Sequence, residues 1–517
     1  MRPLIVARAI PQAAKDATSC DPLASVCETS CRRAANPRTL QAILLDGHKL
    51  LNAIRSERPS ERRRVPQPLM KRRIPSGRGA MEQPNARGDE PAPLTPAFWI
   101  AAVLTGVATG LLGDLMMIIL FNVGHLAFGF HSGSFQEAVE RDSAARRVIS
   151  LAIAGAFGGV AWYLLRRWTK GEKSEIDDAL WQGDGRLSWR RSLGSAAISE
   201  VVIGMGASIG REAAPKLLGG VSGSLLADFA KLNTQQRRLL VACGGGAGLA
   251  AVYNVPLGGA LFTAEVLVGS VSLSVILPAL LCSWVATATA WIYLPIHATY
   301  VDVPFHHFHV TLLVWALIAG PLIGLFAVGY IRLIAWVSHH RATGRKALIA
   351  PLVAFTILGL VGIQYPQLFG NGKDMAHAAF LGIGSLSLLA ALSFLKPTVT
   401  ALCLRSGASG GLFTPVMSTG AVFGAFLGLA WSQLWPGDPI SAYAMIGASA
   451  MIGAGMQAPF AALVLVLELT HSGFSIMIPM IACTAAATMV SRYIDGYSIY
   501  SARLSALSES PDALAES

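Results

Sequence analysis

Two short stretches of this chain place chemically capable residues inside apolar surroundings. The first, Gly204–Pro215, reads GMGASIGREAAP and sets Arg211 and Glu212 among apolar residues at an expected helix break. An ionisable side chain at membrane depth is costly and usually lines a pathway. The stretch is neither a Rossmann loop nor a P-loop, because no strand is expected before it and no Gly-Lys-Ser/Thr closes it. The second, Ser406–Pro415, reads SGASGGLFTP and leads straight into an apolar helix. The first N–H groups of such a helix are free, and the macrodipole adds about +0.5 charge there. A site of this kind can hold a dehydrated anion without a full positive charge. A lysine in the same place would bind the ion too tightly to release it.

The composition says what must position these residues. Of 517 residues, 53% are hydrophobic and only 14% charged, with 52 Gly and a mean hydropathy of +0.51. A soluble chain would carry about 25% charged residues. A soluble enzyme and a disordered or fibrous protein are therefore excluded, and a polytopic membrane protein remains. Stretches near 97–124, 147–166, 273–295, 309–336 and 381–404 are long enough to span; a span takes roughly 20 apolar residues. Others are short or cut by Gly and Pro: Val201–Gly210, Leu217–Phe229, Leu239–Ala251, Val255–Gly269, Leu412–Trp431 and Met456–Leu469. Broken helices are tolerated in a membrane only around protein-lined cavities, and they point to a transport site.

Charge is concentrated in one place. Residues 1–96 hold 17 Lys+Arg and 9 Asp+Glu, so +8 of the formal +11 lies there. The basic character describes a tail, residues 1–95, expected to be disordered or a start codon set too far upstream, and nucleic-acid binding does not follow. Of the seven Cys, three lie in the tail and four stand singly in apolar runs with no CxxC pair, which suits small core residues. No signal peptide is read at the N-terminus. Connections at 166–173, 231–238 and 339–346 are basic, whereas 296–308 has no Lys or Arg. The positive-inside rule puts the first three in the cytoplasm and the last outside.

The chain also repeats itself. Asn254, Pro256 and Glu265 correspond to Gln457, Pro459 and Glu468, all displaced by 203, and Gly210 corresponds to Gly411, displaced by 201. Nearly equal displacements predict duplicated halves packed about a pseudo-two-fold with a site at their junction.

With these residues in view, the sequence resembles the CLC family of chloride channels and proton/chloride antiporters, in its prokaryotic form without C-terminal regulatory domains. The family's G-[KR]-E-G-P motif stands here as Gly210-Arg211-Glu212-Ala213-Ala214, with Pro one place late at Pro215. Its G-x-F-x-P motif is intact as Gly411-Leu412-Phe413-Thr414-Pro415, and its G-x-x-x-Y-S-A segment as Gly496–Ala502. The resemblance covers about residues 96–508, leaving a short tail at 509–517. It implies an all-α fold of two inverted repeats of tilted, broken helices, a homodimer with a pore in each subunit, and bound chloride ions with no other cofactor. It implies that Glu212 is the gate, that the amides of Leu412 and Phe413 and the phenol of Tyr500 coordinate the anion, and that Gly210, Arg211 and Gly411 shape the site.

Two departures matter. The family's first-loop serine falls on Gly171, so a donor hydroxyl is missing unless Ser174 or a backbone N–H substitutes, and the chloride-over-nitrate preference that the resemblance implies does not carry over. The antiporters' internal proton-accepting glutamate falls on Val266, beside Glu265, and an apolar side chain relays no proton. Glu200, about three turns before Glu212, and Glu265 are carboxylates able to replace it. His306, His307 and His309 on the outer loop read as solvated rather than metal-binding. The expectation is a non-enzymatic, multi-pass protein of the cell (inner) membrane with cytoplasmic termini, which conducts chloride or a similar small anion as a channel does. Proton-coupled antiport through a non-standard path is the alternative, and a non-transporting scaffold the reading from another class.

Overall fold

The computed structural model describes residues 94–129, 134–172 and 175–504. Residues 1–93 of the tail read over 1–95, Ser174, and the C-terminal residues from 505 lie outside the described residues. Among those described there are 18 helices and no strand.

In the first half, α1 (Pro96–Phe128) starts at Thr95, whose hydroxyl accepts the Phe98 N–H at 3.3 Å, with Pro96 in its first turn, a combination suited to helix starts. Then follow α2 (Phe135–Arg141), α3 (Ala144–Trp168), α4 (Ile176–Trp181), α5 (Trp189–Gly204), α6 (Ala213–Phe229), α7 (Thr234–Tyr253), α8 (Pro256–Phe262) and α9 (Leu273–Ala290). A π turn, Thr263–Val268, continues α8. The second half holds α10 (Val310–His339), α11 (Lys346–Gln364), α12 (Lys373–Phe380), α13 (Leu386–Arg405), α14 (Phe413–Trp431), α15 (Ile440–Met456), α16 (Pro459–Thr470), α17 (Met477–Ile494) and α18 (Ser501–Leu504).

Among the described residues eight helices are long and apolar enough to cross a membrane. They include the five expected stretches and add Lys346–Gln364 and Phe474–Ile494, which sequence reading passed over, together with α14, expected to be interrupted. The glycines of Leu239–Ala251 do not break α7 either. They let α6 approach so closely that a Cβ on Gly219 or Gly244 would overlap the other's carbonyl, the small-residue packing common between membrane helices. A true break does fall within Val201–Gly210, because α5 stops at Gly204.

The halves correspond in their principal helices. α6 packs on α7 as α14 packs on α15, and α1 packs on α9 as α10 packs on α17. Asn254 and Gln457 both end their helices in the left-handed region at φ 57°, and Pro256 and Pro459 both open the next helix. At the junction, Gly210 and Gly411 form an antiparallel bridge, with N–H to carbonyl distances of 2.9 and 2.8 Å. Corresponding helices run in opposite directions: α1 begins beside Leu232 in the basic 231–238 connection, while α10 begins at the lysine-free loop. The repeats are therefore inverted.

The loops segregate to two ends. Arg166 donates to the Gly407 carbonyl, Ala342 N–H to Arg405 O at 2.8 Å, and Arg341 approaches Glu175 at 3.3 Å. At the other end of α10, about 45 Å away for 30 residues, Tyr300 N–H donates to Leu469 O at 2.9 Å and His309 meets Asp438 at 2.7 Å. Of the outer histidines, His307 and His309 are exposed as expected, whereas His306 is only 6% exposed and its carbonyl accepts the Ser475 hydroxyl. Burial, with His307 adding to it, lowers the pKa of His306.

Candidate functional site

The glycine bridge brings two helix starts together. Glu212 is the residue before α6, and its 3% exposed side chain turns to the start of α14. Oε1 accepts the Phe413 N–H at 2.7 Å and the Thr414 N–H at 3.4 Å. Oε2 accepts the Thr414 hydroxyl at 3.0 Å and the Tyr253 hydroxyl at 3.3 Å. The carboxylate thus occupies the free amides where the helix field favours negative charge. A Cβ on Gly210 or Gly411 would collide with this carboxylate where it now sits.

Several supporting residues were not singled out from sequence. Tyr253 O and Thr414 Oγ1 lie 2.6 Å apart, and Asn371 Nδ2 donates to the Tyr253 hydroxyl at 3.4 Å. Arg211 lays its guanidinium 4.9 Å from the centre of the Tyr253 ring, a cation–π contact. Lys396, fully buried on α13, donates to Ser208 Oγ at 2.8 Å, Gly370 O at 2.9 Å and Leu368 O at 3.3 Å. It fastens the loop that leads to Glu212. A lone lysine in an apolar run was the available signal for it.

The remaining expected residues are distributed as follows. Leu412 and Phe413 are both fully buried, and Leu412 is the residue before α14. Tyr500 is 4% exposed, edge-on to Phe262 with ring centres 6.4 Å apart, and Glu212 acts on its phenol electrostatically. Its segment is held to α15 by the Ile499 N–H, which donates to Gly455 O at 2.7 Å. Glu200 is fully buried on α5, with both oxygens lacking a hydrogen-bond partner among the described residues. Val266 is buried in the π turn, and Glu265 turns away to the start of α16. Gly171 is an exposed turn residue at φ 83° with no side chain to offer. Among the described residues no group of His, Cys, Asp or Glu is arranged to hold a metal.

Residues 154–492 match the family described as "Voltage gated chloride channel". The chain belongs to that family. Its CLC relatives include the "H(+)/Cl(-) exchange transporter ClcA" of Vibrio campbellii, 26% identical over 437 residues, which are 82% of this chain and 92% of the relative. A "Putative chloride channel protein ClcB-like" of Ralstonia nicotianae is 28% identical over 358 residues, 65% of this chain and 80% of that protein. Among solved CLC folds, a slow cyanobacterial Cl-/H+ antiporter superposes with a TM-score of 0.71 at 22% identity, covering 80% of this chain and 99% of the other. A CLC-type fluoride/proton antiporter gives 0.63 at 20% identity, covering 79% and 97%. The helical fold described above is thus the fold of this membrane family.

Proposed function

We propose that the chain exchanges chloride for protons, with Glu212 as the gate that competes with the anion for the amides at the start of α14. The observation that carries this reading is the 2.7 Å hydrogen bond from the Phe413 N–H to Glu212 Oε1. An ionised carboxylate and a chloride ion satisfy the same donors and exclude one another. Protonation removes the charge that holds the side chain there, because a charge-assisted hydrogen bond is roughly twice as strong as a neutral one. The side chain then leaves, chloride takes the amides, and the proton is carried to whichever side Glu212 next faces. The relatives named as exchange transporters support coupling over passive flow.

Val266 favours the second reading, channel-like conduction, because a proton has no acceptor at that place. The proposal extends to a pore in each subunit of a homodimer, with residues 96–508 as the permeation domain of a protein of the inner membrane and both termini cytoplasmic. Arg211 and Tyr500 would sit at the outer and inner rims of the anion path. The deciding experiment records anion flux and pH together in proteoliposomes, in chloride, nitrate and fluoride. Proton uptake driven by a chloride gradient is expected. Chloride flux without proton movement would establish the channel-like reading instead.

A further inference from the structure

Below the gate lies a charged cluster that the exchange reading leaves unused. Lys216 follows Glu212 by four residues on α6, so both project from one face of the helix. Its ammonium lies 4.6 Å from the centre of the Tyr500 ring and 3.9 Å from Asp177 Oδ1. The two side chains are 14% and 11% exposed, and Asp177 acts electrostatically on the Tyr500 phenol as well.

Asp177 belongs to α4, which packs on the π turn that carries Val266. Trp181 Nε1 donates to Leu267 O at 2.9 Å, and Ile176, Leu267 and the stem of Lys216 all border Gly245. The helix that packs on the turn of Val266 therefore carries a carboxylate of its own, Asp177. The other charges near the pair are Glu175 and Asp178. Glu175, which acts on Lys216, is bound by Arg341 at 3.3 Å and Arg503 at 3.9 Å. Asp178, next along α4, has an Oδ1 with no hydrogen-bond partner among the described residues and interacts electrostatically with Asp177.

Resting on the exchange reading, we propose that Asp177 is the inner proton acceptor of the cycle and that Lys216 is the cation that ties its protonation to chloride. A proton moves from cytoplasmic hydronium to the Asp177 carboxylate, leaving water and a neutral carboxyl. Lys216 loses its counter-charge and can pair with an incoming chloride. Conversely, chloride at Lys216 screens the ammonium and makes Asp177 easier to protonate, so by linkage each favours the other. With Asp177 ionised, the pair is internally neutral and lets the anion go, which a solitary lysine would not. The proton then passes through water towards Glu212, one helical turn away along α6.

The test uses the full chain in proteoliposomes, with chloride and pH recorded together. In Asp177→Asn, proton flux should fall on the order of a hundredfold, the scale for removing a positioned proton-transfer group. Chloride flux should continue, now uncoupled, and Asp177→Glu should restore coupling. Lys216→Met should abolish the dependence of proton flux on cytoplasmic chloride. An Asp177→Asn protein that keeps the wild-type proton-to-chloride ratio overturns the assignment and leaves the exchange reading standing. Loss of both fluxes in a folded Asp177→Asn protein makes the residue structural and overturns it too. A wild-type protein that moves no protons removes both proposals.

Discussion

Glu265 and Glu468 cap each other's helices. The Glu265 carboxylate accepts the Ala461 N–H at 2.6 Å and the Phe460 N–H at 3.3 Å, at the start of α16. The Glu468 carboxylate accepts the Gly258 N–H at 2.6 Å and the Leu257 N–H at 3.0 Å, at the start of α8. The two helices lie against each other, and each opens on a proline that follows a left-handed residue. Two orphan donors at each helix start are satisfied by an acid from the opposite repeat, and charge and helix dipole agree in sign.

This geometry gives Glu265 a helix-capping role. Glu265→Gln and Glu468→Gln should each cost about 1–2 kcal/mol, the range for losing a helix-start cap. Both should therefore lower the unfolding temperature in detergent while the proton-to-chloride ratio stays at the wild-type value. Loss of coupling at unchanged stability would return Glu265 to the proton path.

Glu212→Gln should remove the pH response of anion flux. If Glu212 gates as proposed, its carboxylate blocks the amides of α14 in the wild type and anion flux should rise on acidification. Glutamine is neutral at every pH, and its flux should be flat across the same range. A Glu212→Gln protein that retains the wild-type pH profile would take the side chain out of the gate.

How much of this was legible beforehand follows from what leaves a mark on residue type. A helix that ends left-handed and restarts on proline leaves Asn-x-Pro and Gln-x-Pro at equal displacement, so the repeat could be read. The glycine junction could be read because Gly210 and Gly411 leave room for the Glu212 carboxylate where it now sits. Tyr253, Thr414 and Lys396 could not be ranked, since their partners lie 161, 202 and 188 residues away. Nothing in a run of apolar residues says which loop will fold back onto it. Asp177 and Lys216 were equally hidden, for their pairing depends on how α4 meets α6.

Lys396→Met should destabilise the protein and silence it together. The substitution strands the Ser208 hydroxyl and the Gly370 and Leu368 carbonyls, groups that satisfy the ammonium at 2.8, 2.9 and 3.3 Å. Each buried orphan costs about 1–3 kcal/mol. The loop through Ser208 leads to Glu212, so anion flux per folded molecule should fall with the unfolding temperature. Lys396→Arg, which keeps donors but changes their geometry, should recover part of both. Wild-type stability and flux in Lys396→Met would mean that the buried ammonium positions nothing.

Glu175 gives a pH test outside the membrane spans. Its surroundings alone would raise the carboxyl, but Arg503 and Arg341 outweigh that effect and hold it below its ordinary value of 4.5. A carboxyl whose folded value is depressed contributes stability that is complete above the ordinary value and is lost as pH falls through the folded one. The side chain is 41% exposed, and the pairs span 3.3 and 3.9 Å, so solvent limits each to about 0.2–1 kcal/mol. Glu175→Gln should therefore be slightly less stable than wild type from neutral pH down to 4.5. The two unfolding temperatures should converge only in more acidic buffer, and high salt should narrow the gap throughout. A gap that persists in strong acid would mean that Glu175 acts through packing and not through its charge on Arg341 and Arg503.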